Sequence, residues 1–144
     1  MHTLNASANS LAFQELADSL KEDYEIKLQD LDKFLGAQYT VGKYGIHMHL
    51  TQYIVGILAR FHMSDCRAVR NPEASRDDPI QTLDETMLNR KDVQLYQEMT
   101  GALMFCVTTC RPDIAHSVGM LAQRMSKPRV RDHVAACRVF RYLQ

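Results

Sequence analysis

The chain has 144 residues, 46% of them hydrophobic, and 17 basic side chains balance 17 acidic ones. That is one domain's length with enough apolar material for a core, which excludes a disordered tail. No apolar run reaches the roughly 18 residues a membrane span needs, and no cationic-then-apolar leader opens the chain, so an intracellular, non-secreted protein (cytoplasm or nucleus) without a membrane partner is expected.

The first predicted element is an amphipathic helix, with Phe13, Leu16, Ala17, Leu20 and Tyr24 at helical spacing behind Asn9 and Ser10 as caps. Next, "KFLGAQYTV" and "IHMHL" flank "GKYG" and predict a β-hairpin with a glycine-bounded turn, Ile46, Met48 and Leu50 alternating with His47 and His49. Gly36 to Gly42-Lys43 has the wrong spacing for a phosphate-binding loop and lacks the following Ser or Thr. His47 and His49 share a face, but two strand histidines are more simply polar surface than a metal pair. A second helix after Thr51 carries Tyr53, Ile54, Ile57, Leu58 and Phe61, and residues 64–90 then lose all periodicity and read as a long loop. A third helix is expected from about Asp92, a fourth opening at Pro112 and a fifth from Arg129 to the end, where "VFRYLQ" stops without a helix-ending signal and suggests a fragment.

The zero net charge is an average of two unlike ends. Residues 1–35 hold three lysines against seven carboxylates, and residues 111–144 hold seven basic side chains against two acidic ones. An anionic partner for the back half is one explanation, and a solvated helix surface is the other. Arg131, Arg138 and Arg141 fall within about a quarter-turn of one another on a helix and, with Arg124, Lys127 and Arg129, outline a basic ridge. Ridges of this kind hold nucleic-acid backbones without reading sequence. Arg111 stands just before the positive end of a helix, which disfavours a cation unless something negative meets it. Its partner is either an internal carboxylate, the reading favoured here, or a phosphate. The cysteines Cys66, Cys106, Cys110 and Cys137 form no CxxC pair, and Cys106, Cys110 and His116 lack zinc-site spacing, so reduced thiols are expected.

Three stretches in unbroken order, "DLDKFLGAQYTVGKYGIHMHLTQYIVGILARFHMSDCRAVRNP", "YQEMTGALMFCVTTCRPDIAHSVGMLAQRMSKP" and "HVAACRVFRYL", resemble the C-terminal part of Ty1/copia-type retrotransposon reverse transcriptases. The resemblance covers nearly the whole chain. It implies an α+β, mainly helical fold: the end of a palm in residues 1–50, a thumb-like helical bundle in 51–126 and the start of a connection towards RNase H in 127–144. Phe34, Leu35 and Gly36 would belong to the primer grip, which positions the growing strand. Arg111 would touch phosphate or brace helices, and Arg124, Lys127, Arg131, Arg138 and Arg141 would face an RNA–DNA or DNA duplex.

The family's YVDD motif, whose aspartates hold two magnesium ions, would precede the first helix, where Met1 and His2 stand instead. Leu50, Phe105 and Cys110 replace the family's Gln, Tyr and Thr, and Cys110 gives up a good capping oxygen. The expectation is therefore a truncated Pol fragment that grips template–primer without catalysing transfer and without a cofactor of its own, its partners including the fingers, palm and RNase H portions. The competing expectation is a domesticated or relic helical module that binds protein rather than nucleic acid.

Overall fold

A computed structural model describes residues 11–24, 33–74 and 86–144. Along the chain these form α1 (Leu11–Asp23), β1 (Lys33–Phe34), β2 (Ala37–Gly42), β3 (Gly45–His49), α2 (Thr51–Arg60), α3 (Arg90–Thr109), a 3₁₀ turn (Pro112–Ile114), α4 (Ala115–Ala122) and α5 (Val130–Leu143). The three strands make one antiparallel sheet in the order β1-β2-β3. The fold is mixed, with helix predominating among the described residues, and none of those helices is long and apolar enough to cross a membrane. The caps proposed at Asn9 and Ser10, the Met1–His2 position and the Phe13 side chain lie outside the described residues.

α3 is the centre of the packing. At 1.5 Å per residue its 20 residues run about 30 Å. It buries Tyr96, Met99, Thr100, Leu103 and Cys106, a 3-1-3-3 spacing that keeps one face inward. Against that face lie Ile57 and Leu58 of α2, Val118 and Leu121 of α4, and Ala136, Val139 and Phe140 of α5. Two buried hydroxyls are satisfied locally: Tyr96 donates to Leu121 O at 2.7 Å, tying α3 to the end of α4, and Thr100 donates to Tyr96 O at 2.9 Å. The helix starts at Arg90, two residues before the expected Asp92, because Asn89 Oδ1 accepts from the N–H groups of both Lys91 and Asp92 at 3.0 Å.

The hairpin differs from the alternation expected of it. Leu50 is buried, whereas Ile46 and Val41 are exposed and Met48 is only partly covered, so the sheet packs at its base and projects at its tip. The base is stitched to α2 by Gln38 Oε1, which accepts the Gln52 N–H at 2.8 Å and serves the helix start that Leu50 cannot cap. α1 buries Ala17, while Leu16, Leu20 and Tyr24 of its expected inward stripe are exposed.

Residues 64–90, expected as a loose loop, are pinned where they are described. Val69 N–H donates to Arg141 O at 3.1 Å. Leu88 N–H donates to Pro128 O and Val130 N–H to Thr86 O, so a short bridge joins the residues before α3 to those before α5. These bonds are main chain to main chain, which leaves no trace in side-chain periodicity.

Candidate nucleic-acid interface

Phe34-Leu35-Gly36 does not continue a strand. The chain reverses there, with Lys33 paired to Gln38 and Phe34 to Ala37, so Leu35 and Gly36 are the two loop residues of a tight hairpin. Both have positive φ, 50° and 84°, the signature of a type I′ turn. Such turns favour Asn-Gly, and leucine at the first position holds a sparsely populated conformation while remaining 78% exposed. Phe34 beside it is also exposed. A Cβ at Gly36 would sit 3.2 Å from Phe105 Cζ, so the turn rests directly on α3. Phe105 in turn packs on Tyr53, ring centroids 4.6 Å apart, and the Tyr53 hydroxyl donates to Ala102 O. The result is a turn with two apolar side chains outward and a rigid aromatic seat beneath. Gly36→Ala should destabilise the fold by about 1–2 kcal/mol, from the positive φ and the Phe105 contact together. Urea denaturation of the variant checks this, and no change would mean the turn bears no strain.

Arg111 has an internal partner. Its guanidinium is bidentate to Asp113, with Nε to Oδ1 at 2.9 Å and Nη2 to Oδ2 at 2.8 Å, and its charge lies over the Tyr142 ring at 5.5 Å. These hydrogen bonds hold the Asp113 carboxyl below its ordinary range and push Arg111 up. Of the two possibilities left by the sequence, the carboxylate is the one present. Arg111 joins the 3₁₀ turn to α5, with Cys110 and Arg111 N–H both ending α3 on Cys106 O.

The arginines divide into two groups. Arg141 Nε donates to Arg67 O at 2.8 Å and Arg138 Nε to Asn71 O at 3.3 Å, which ties α5 to the 64–74 segment. Arg124, Arg131 and Arg138 also line a cleft of about 330 Å³ between α4 and α5, with His116 and Ser117 on the α4 side. Across its mouth comes Glu73, whose Oε1 accepts from Ser117 Oγ at 3.0 Å and lies 3.9 Å from His116 Nε2. Lys127 follows α4 and is exposed but does not line the cleft. Glu73 and Ser117 were not singled out in the sequence, and His116 was considered there only as a zinc ligand. His116, Ser117 and Arg124 do share one helical face, but Glu73 sits 44 residues from Ser117 with no pattern to connect them.

His49 is engaged by hydroxyls, its Nδ1 lying 2.9 Å from Thr51 Oγ1 and its Nε2 3.5 Å from Thr40 Oγ1. All four cysteines are free thiols, and burial pushes Cys106 up to about 11. Among the described residues no three His, Cys, Asp or Glu side chains converge.

No protein-family model matches the chain, and no solved structure matches it significantly. Curated proteins do. A transposon Ty5-1 protein of Saccharomyces cerevisiae is 30% identical over 142 residues, 97% of this chain and 45% of that protein. The retrovirus-related Pol polyprotein from transposon RE2 of Arabidopsis thaliana is 29% identical over 136 residues, 94% of this chain and 9% of the polyprotein. That from transposon TNT 1-94 of Nicotiana tabacum is 26% identical over 136 residues, 90% of this chain and 10% of the polyprotein. The chain thus spans less than half of the Ty5-1 protein and about a tenth of the polyproteins. Matched along nearly its whole length at about 30% identity, the chain is a homologue of a segment of Ty/copia-type retrotransposon Pol polyproteins.

Proposed function

We propose that the chain is the duplex-holding part of a reverse transcriptase, gripping template–primer through its backbone and contributing no chemistry. The observation that carries this reading is the cluster of Arg124, Arg131 and Arg138 on one α4–α5 face, in the half of the chain with seven basic and two acidic side chains. Guanidinium groups on a rigid helix pair meet phosphate oxygens bidentately and independently of base sequence. The exposed Leu35-Gly36 turn supplies an apolar contact of the kind the primer-grip resemblance implies, held in place by Phe105. Arg111 is a brace in this account, since Asp113 and Tyr142 already hold it. The sequence lacks the YVDD carboxylates, so the reading routes no step through magnesium on this chain.

An RNA–DNA duplex of about 16 base pairs should bind with an affinity that falls steeply with salt. For about three phosphate contacts, Kd rises roughly 40-fold between 50 and 200 mM. Fluorescence anisotropy measures this, and absence of binding at low salt would remove the proposal. The alternative, a protein-interaction module, draws on exposed Val41, Tyr44 and Ile46 at the tip of the sheet. Self-association on size exclusion without any duplex binding would favour it.

A further inference from the structure

The α4–α5 cleft carries more than a general positive face. We propose that it is a discrete site for one phosphoryl group, in which Glu73 is the resident anion that the phosphoryl group displaces.

Three observations support this. The cleft of about 330 Å³ lies within the ligand-pocket range and has room for a phosphate or diphosphate. Its basic lining comes from both sides, Arg124 just after α4 and Arg131 and Arg138 two turns apart on one face of α5, with His116 and the Ser117 hydroxyl as further donors. Two carboxylates line the same cleft. Asp132 is committed to the start of α5, its Oδ2 accepting the Arg129 N–H at 2.8 Å. Among the described residues Glu73 is held by Ser117 at 3.0 Å and, at longer range, by His116. Its side chain is about half exposed.

Glu73 therefore marks where the cleft takes a negative oxygen, and it does so with a replaceable group. A phosphoryl group brings up to two charges and three acceptor oxygens to the same donors, against one charge from the carboxylate. Its arrival frees the 72–74 segment from Ser117. Binding at the cleft is thereby linked to the strap that Arg138 and Arg141 hold at Asn71 and Arg67. The inference deepens the duplex-holding proposal but does not require it, because a backbone phosphate and a free small phosphate present the same chemistry.

The test is calorimetric titration of the full chain with pyrophosphate at low ionic strength, followed by competition with the RNA–DNA duplex. Glu73→Gln should bind pyrophosphate roughly three- to tenfold more tightly, and Arg124→Ala roughly tenfold more weakly. The two variants shift affinity in opposite directions, so loss of folding cannot imitate the pattern, and Arg124 is exposed. Displacement of pyrophosphate by the duplex identifies a backbone phosphate as the source. Retention identifies a small phosphorylated ligand and supports the site even where duplex binding itself is absent. Undetectable pyrophosphate binding in both wild type and Glu73→Gln overturns the site, as does affinity unchanged by Arg124→Ala. Duplex binding that persists in those cases leaves the wider proposal standing alone.

Discussion

Phe140→Ala should lower the unfolding free energy by about 3–5 kcal/mol. Phe140 is fully buried and lies edge-on to Phe61, ring centroids 5.2 Å apart, so it joins α5 to the end of α2 across the α3 face. Truncation loses the transfer free energy of the ring and leaves a cavity that helices fixed at both ends cannot close. Domains of this size are stable by only about 5–15 kcal/mol, so one substitution removes a large fraction of the margin. Urea denaturation should show a midpoint displaced to lower denaturant with little change in slope. A loss below about 1 kcal/mol would mean that α5 does not pack on α3 as described.

The second large effect is alkaline. Tyr96 and Cys106 are both fully buried on α3, and burial raises Tyr96 from 10.0 to about 12 and Cys106 from 9.0 to about 11. Above pH 9 the unfolded chain releases the cysteine proton while the folded chain retains it, and above pH 10 the same holds for the tyrosine. The unfolded state then binds fewer protons, so stability falls with rising pH. Stability should be level with respect to these two groups below pH 9. It should then decline through pH 11 and 12, each group costing roughly 2–3 kcal/mol across its window. Cys106→Ala should shrink the earlier part of the decline, leaving the share contributed by Cys137, whose thiol is also pushed up by burial. Urea melts at pH 8, 9.5 and 10.5 distinguish this from a flat profile, which would contradict the burial of both groups.

What the sequence revealed and what it hid divide along physical lines. The apolar spacing of Tyr53, Ile54, Ile57, Leu58 and Phe61 located α2, because a helix must turn one stripe to the core, and Pro112 marked the turn that leads into α4. The hairpin at residues 42–45 was legible from its two glycines. The one at residues 34–37 was not, since leucine is an unusual first residue for a type I′ turn and "KFLGAQYTV" looks like one strand. The cap that Gln38 gives α2 comes from 14 residues away, beyond any local capping rule. The same holds for Arg141, which read as part of an exposed ridge and instead reaches a main-chain carbonyl 74 residues distant. Charge alone does not say whether an arginine faces solvent, a ligand or its own backbone.

The duplex-holding account is tested most directly by hydrogen–deuterium exchange of the full chain with and without an RNA–DNA duplex. The account predicts slower exchange on binding around the Leu35-Gly36 turn and along the Arg124–Arg138 face. The far ends of α2 and α3 should keep their free-state rates. Protection confined to other surfaces, or none at duplex concentrations well above Kd, would contradict it.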